Sequence, residues 1–291
     1  MRFRASGPII HGAAPVLALL LLGSLAAAQT AQTPKKDDYL ANIELCNGSG
    51  RISLAARING CTALIDSDHS ATALAIAYNN RGNAYTATGD FDRAIPDFDQ
   101  SIKLDPTFAK PFNNRGAAYL RKGEYDLALK SLDQAIKLKP NYGRAFVNRA
   151  GVYLKKNEYE RAVRDYDEAI RLEAGLEAAW SGRCWTRALL GSLQAALEDC
   201  NKAIQSWPNA AATYDSRGLI KLKMGQATAA IEDFSTALRI DPKLANALYG
   251  RGLARLRNGD KAGGDADISA AKTIHAGIDD DFLRYGVRGN N

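Results

Sequence analysis

The chain has 291 residues, with 38 basic against 32 acidic side chains and a formal net charge of +6. That balance is mild for the length, and basic runs such as KLKP (137–140) and YLKK (153–156) alternate with acids as solvated helix faces do. A nucleic-acid partner would need a concentrated basic stripe with interleaved aromatics, and none is expected.

The N-terminal stretch opens on Arg2 and Arg4, continues with an apolar core from Ala14, and ends on Ala26 and Ala28. This is the three-part pattern of a secretory signal, cleaved after Ala28. Its apolar core is shorter than the roughly 20 residues a membrane span needs, so no membrane span is expected after cleavage; retention as an anchor is the alternative. The absence of a cysteine near that point argues against a lipid anchor. Removing Arg2 and Arg4 leaves 36 basic residues against 32, a net charge of +4 for the mature chain. The style of the signal points to export into the periplasm of a Gram-negative bacterium. Residues 29–37 read as a flexible polar leader, and 38–74 as an N-terminal capping hairpin with a turn at 47–50. Within the cap, GCTALI (60–65) echoes DCNKAI (199–204) in the repeated region that follows.

That region starts with NNRG at 79–82, and NNRG returns at 113–116. The same step carries Gly82 to Gly116, Ala150, Cys184, Gly218 and Gly252. Twelve places beyond each comes a small residue, Ala94, Ala128, Ala162, Ala196, Ala230 or Gly264. Four further on stand Phe98, Leu132, Tyr166, Cys200, Phe234 and Ile268. Pro106, Pro140, Pro208 and Pro242 close four of the units. Six units result: 75–108, 109–142, 143–176, 177–210, 211–244 and 245–278. Each holds two stretches of helical periodicity separated by a turn such as TGD (88–90) or NGD (258–260), a helical hairpin. One hairpin cannot bury its apolar stripe, so successive hairpins must stack into a solenoid with a concave face. Pro96 falls inside a predicted helix, where a local bend is expected.

The pattern of a large residue, then small, then Tyr, followed by Ala, an aromatic, Ala and Pro resembles the tetratricopeptide repeat. The resemblance implies an all-α fold, a right-handed α-solenoid of stacked helical hairpins with capping helices at both ends. It places the first helix of each hairpin on the inner face and sets the slots of Cys184 and Cys200 against each other. Export, and a spacing within each pair that would straddle one hairpin, suggest two disulfides, Cys46–Cys61 and Cys184–Cys200. Four buried thiols packed as small apolar residues are the alternative.

An arginine precedes the glycine slot in every unit, and an aspartate follows it at one fixed interval in five of them. The expected structural ion pairs are Arg81–Asp97, Arg149–Asp165, Arg183–Asp199, Arg217–Asp233 and Arg251–Asp267. Arg115 faces Ser131 instead, with Asp133 as a possible substitute partner.

Before the arginine stand Asn80, Asn114 and Asn148, then Gly182, Ser216 and Gly250. These asparagines resemble the ladder of the O-linked N-acetylglucosamine transferase, whose amides grip the main chain of a target. An amide carries both donor and acceptor and pairs with any peptide unit. Asn79, Asn83 and Asn113 would add polar reach; ordinary solvation of all these residues is the alternative. Lys110, Arg121, Arg144 and Lys155 lie beside the ladder and favour an acidic ligand, with only partial likeness to a carboxylate clamp. In units four to six the inner slots turn apolar, as Trp185, Leu219, Leu222, Tyr249, Leu253 and Leu256. Either a ligand or the C-terminal cap expected at 279–291 covers that run.

The sequence carries no nucleophile elbow, zinc-hydrolase motif or phosphate loop, so neither catalysis nor a cofactor or metal is expected. The expected function is a non-catalytic, protein- or peptide-binding adaptor or scaffold in the bacterial envelope. A saccharide- or peptidoglycan-binding module, with Trp180, Trp185 and Tyr249 as stacking platforms, is one rival. A regulatory subunit of an envelope enzyme is another.

Overall fold

The computed structural model describes residues 36–48, 52–67 and 69–288. The expected signal and the leader up to residue 35 lie outside them. No described helix is long and apolar enough to cross a membrane.

Fifteen α-helices and no strand make up the described residues. α1 (Lys36–Asn47) and α2 (Leu54–Ile65) form the N-terminal hairpin. The repeated hairpins begin with α3 (Ala71–Ala87) and α4 (Phe91–Leu104), α5 (Ala109–Lys122) and α6 (Tyr125–Leu138), and α7 (Gly143–Lys155) and α8 (Tyr159–Leu172). They continue with α9 (Glu177–Leu189) and α10 (Leu193–Ser206), α11 (Ala211–Lys223) and α12 (Ala227–Ile240), and α13 (Ala245–Arg257) and α14 (Lys261–Ile274). A short α15 (Ile278–Arg284) ends the series. α4 runs unbroken through Pro96.

Each hairpin turns on one residue in the left-handed region: Gly89, Gly123, Gly191, Gly225 and Gly259 at φ of 78–86°, and Asn157 at 59°. Glycine adopts that conformation without a Cβ penalty, and asparagine is among the few other residues that tolerate it. Inside each hairpin the small slot admits the bulky slot of the returning helix. A Cβ at Gly82 would stand 2.7 Å from the Phe98 ring, and one at Gly218 2.8 Å from Phe234. In the fourth hairpin the two slots are covalently joined as Cys184–Cys200, and in the N-terminal hairpin Cys46 is joined to Cys61.

Stacking uses a second set of slots on the returning helices. Ile102 packs with Phe112 of the next hairpin, Ile136 with Phe146, and Leu197 with Ile220. The slot series Ile95, Leu129, Val163, Leu197, Ile231 ends in Asp265. Likewise Ile102, Ile136, Ile170, Ile204, Leu238 ends in Lys272. Both Asp265 and Lys272 are exposed. At these two slots the last hairpin therefore presents polar side chains to water, although Ile274 at the end of α14 stays exposed.

α15 follows one of the two alternatives left open for the inner apolar run, that the C-terminal cap covers it. It turns back from Gly277 onto the concave side, where Ile278, Phe282 and Val287 are 0–3% exposed. The inner helices of the later hairpins carry contiguous apolar side chains, and burying Phe282 against them removes a large side chain from water.

Candidate peptide-binding groove

The first helices of successive hairpins, α1, α3, α5, α7, α9, α11 and α13, each touch the next, which places them on the tighter, concave side of the stack. Along this inner wall the asparagines form one continuous chain of amides. Asn148 Nδ2 donates to Asn113 Oδ1 at 2.8 Å, Asn113 to Asn114 at 3.0 Å, and Asn114 to Asn79 at 2.9 Å. Asn79 then donates to Asn80 at 3.1 Å, and Asn80 to Asn47 Oδ1 at 3.2 Å. The three bonds between hairpins all donate toward the N-terminal end, the other two link neighbours on one helix, and reversing any one internal amide would break two bonds.

The expected roles of these residues divide. Asn80, Asn114 and Asn148 are half-buried and face the groove edge, whereas Asn79 and Asn113 are 3% and 5% exposed. The latter two bridge between rungs instead of reaching into the groove, because they sit one residue back on the same helices, toward the neighbouring hairpin. Asn83 lies about one turn on along α3, half-buried and outside the chain of amides. Asn80 and Asn114 each accept one bond and donate one within the chain, leaving one N–H and one lone pair for a ligand. Asn47 is a rung that sequence reasoning missed. Its adjacent Cys46 is tied to α2, which fixes the helix end that carries it.

The ladder stops after Asn148, where the rung slots hold Gly182, Ser216 and Gly250; a Cβ at Gly182 would collide with the Tyr166 ring, as one at Gly250 would with Phe234. Next to the last rung lies a cleft of 610 Å³ lined by Asn113, Arg144, Val147, Asn148, Glu177 and Ser181, among others. Arg144, which lines it, is exposed, as are Lys110 and Arg121 on α5 and Lys155 on α7.

The arginines hold the wall in place. Each of Arg81, Arg149, Arg183, Arg217 and Arg251 grips its aspartate through two bonds of 2.6–2.9 Å. The remaining nitrogen of each reaches the preceding hairpin: Arg81 to Thr62, Arg149 to Asp133, Arg183 to Asp167, Arg217 to Asn201 and Arg251 to Ser235. Asp133 thus serves Arg149 and does not substitute for Ser131; Arg115 bonds Ser131 and Asp99. Burial by itself would lower the Arg149 pKa, but its bonds to Asp165 and Asp133 hold it above the ordinary value. The three later aspartates have a second cation: Arg187 on Asp199 at 2.8 Å, Lys221 on Asp233 at 2.7 Å and Arg255 on Asp267 at 2.9 Å.

The apolar half of the wall is covered by the chain itself. Tyr249 meets Phe282 at 4.7 Å between centroids, and Trp185 meets Tyr285 edge-on at 4.9 Å. Leu219 and Leu253 are 3% and 2% exposed within the same cluster. Leu219 and Tyr249, expected to contact a ligand, are therefore under the C-terminal segment, and Trp185 is at its margin. Beneath the segment Asp215 is 7% exposed with no hydrogen-bond or ion-pair partner among the described residues, and burial pushes its pKa up to about 7.

Among the described residues no group of three or more His, Cys, Asp or Glu is placed to hold a metal ion.

Comparison with known proteins gives a consistent picture. Tetratricopeptide repeat profiles match residues 75–108, 109–142 and 147–211, and a TPR repeat profile matches 218–259. No curated protein matches the chain. A tetratricopeptide repeat protein of Parabacteroides merdae superposes with a TM-score of 0.63 at 17% identity, over 86% of this chain and all of that one. PilF of Pseudomonas aeruginosa gives 0.64 at 16%, over 75% of this chain and 97% of its own. A chain of the APC/C hetero-tetramer Cut9–Hcn1 gives 0.69 at 14%, over 87% of this chain and 52% of that one. At these identities the likeness is one of fold.

Proposed function

The chain belongs to the tetratricopeptide repeat family, and on that premise we propose that it is a non-catalytic adaptor that binds an extended protein segment along its concave wall. The observation that carries this reading is the unbroken amide chain from Asn148 to Asn47. Ordinary solvated asparagines would point independently into water; these are held in one orientation with spare donors and acceptors along the groove edge. Such groups pair with main-chain amides whatever the side chains of the bound segment. The exposed Lys110, Arg121, Arg144 and Lys155 favour an acidic segment, through charge complementarity that speeds encounter more than it tightens the complex.

We place this function in the bacterial envelope, with the periplasm as the compartment. Two cysteine pairs support an oxidising setting, and the N-terminal basic, apolar and small-residue pattern supports export. A saccharide-binding reading would need free aromatic faces. Arg183 lies over the Trp180 ring at 5.0 Å, Tyr285 meets Trp185, and Phe282 covers Tyr249.

The test is a crosslinking pull-down from envelope extract with the mature chain beside the triple variant Asn80→Ala, Asn114→Ala, Asn148→Ala. Capture by the parent and loss in a variant with unchanged helical circular dichroism is the expected result. Equal capture by both would move binding to another surface.

A further inference from the structure

The C-terminal segment is placed as a ligand would be, not as a cap. The last hairpin ends on Asp265 and Lys272 where earlier hairpins present Ile, Leu or Val, so those stacking slots need no cover. Residues 278–288 instead lie across α13 and α9. They present Ile278, Phe282 and Tyr285 inward at helix-like spacing, followed by Val287 beyond the helix, while Asp280, Leu283 and Arg284 stay exposed. Polar contacts also hold the segment: Lys272 to Asp279 at 2.6 Å, His275 to Asp281 at 2.8 Å and Arg257 to the Arg288 carbonyl at 3.2 Å, with Tyr285 beside Asn246 and Asp279 beside Tyr249. Its fit is incomplete. Asp215 is buried beneath it near Tyr285, which brings no positive charge to the carboxylate.

We propose that the apolar half of the groove is a docking site for a basic amphipathic helical segment of a partner protein, and that residues 278–288 occupy this site until such a segment displaces them. The partner would repeat the apolar spacing of the segment and set a Lys or Arg over Asp215. That cation matters because a tethered occupant enjoys an effective concentration in roughly the millimolar range. A free competitor must therefore make a contact that the tethered one lacks, and an ion pair with a desolvated carboxylate is such a contact. The inference rests on the concave face being a protein-binding surface. It concerns α9, α11 and α13, not the ladder, so a partner lost with the asparagines but indifferent to the segment would overturn it alone.

The test uses a fluorescent peptide with the sequence of residues 277–288, and a second carrying Tyr285→Arg. Anisotropy titrations compare the full chain, the chain ending at Ala276, and the full chain with Phe282→Ala, which loosens the segment without removing it. The native-sequence peptide should bind the shortened or loosened chain at least about tenfold more tightly than the full chain. The arginine peptide should bind more tightly still, with that gain lost in Asp215→Asn. Equal affinity for full and loosened chains would overturn the proposal, as would no binding to a loosened chain that keeps a cooperative melt. A full-length dimer that becomes monomeric on shortening would also overturn it, by assigning the groove to a second copy's C-terminal segment.

Discussion

The two halves of the concave wall solve one stacking problem with opposite surfaces. In the first three repeated hairpins the inner wall carries half-buried amides, exposed cations and an open cleft beside Asn148. In the last three, the rung slots hold Gly182, Ser216 and Gly250, the inner wall around them is largely apolar, and the chain's own C-terminal segment fills the space. The arginine clamps change with them. Asp97 has one cation, Arg81, whereas Asp199 is held by both Arg183 and Arg187. The same scaffold thus leaves a polar surface available where water can satisfy it and closes an apolar one that water cannot.

The clamps break this comparison most severely. Arg81→Met leaves Asp97 buried and unpaired, and chemical denaturation should show a loss of about 3 kcal/mol. Arg183→Met leaves Asp199 with Arg187, so its loss should be about half as large. Equal losses would show that the second cation contributes nothing.

Removing a disulfide by paired Cys→Ser substitution comes next. The chain-entropy account gives about 3 kcal/mol for a loop of this length, less any compensating relaxation. Replacing Cys184 and Cys200 should lower the melting temperature without touching the ladder. Replacing Cys46 and Cys61 should loosen α1 and the Asn47 rung, seen as faster amide exchange in α1.

Asp215 gives the pH dependence. Its pKa in the folded chain, about 7, lies above the ordinary 3.8, so the native state keeps a proton that the unfolded chain releases. Stability contributed by the neutral carboxyl is therefore intact below about pH 4, declines as the pH rises, and is lost above about pH 7. Asp215→Asn should melt with the parent in acid and be more stable at pH 8, on the order of 2 kcal/mol. A parallel offset at all pH values would contradict the assignment.

The smallest effect is expected at the end of the ladder. Asn47→Ala removes one acceptor from an exposed bond, and partner affinity should fall by about threefold, within the range of a single neutral hydrogen bond.

Much of this architecture was legible in the chain. The constant interval from one NNRG-like stretch to the next carried the hairpins, and the slots of Cys184 and Cys200 carried their bond, because both follow from a periodic backbone. Asn79 and Asn113 were harder to assign: neighbours in sequence on a helix diverge by about 100°, so reading NN as a pair hid the bridging role of the first. Asn47 could not be placed, since its eroded hairpin lacks the register that aligns the others. The inward path of the C-terminal segment did leave a signal. Asp265 and Lys272 interrupt two otherwise apolar slot series, and Ile278, Phe282 and Tyr285 follow at helical spacing.

The central claim is that the amides of the open half bind main chain. The most direct measurement is calorimetric titration of the crosslinked partner's segment into the parent and into Asn114→Ala, at low and at high salt. A loss of about fivefold in Asn114→Ala that persists at high salt is predicted, since screening weakens the lysine and arginine contributions but not a neutral amide pair. Unchanged affinity in Asn114→Ala at both salt concentrations would contradict the account.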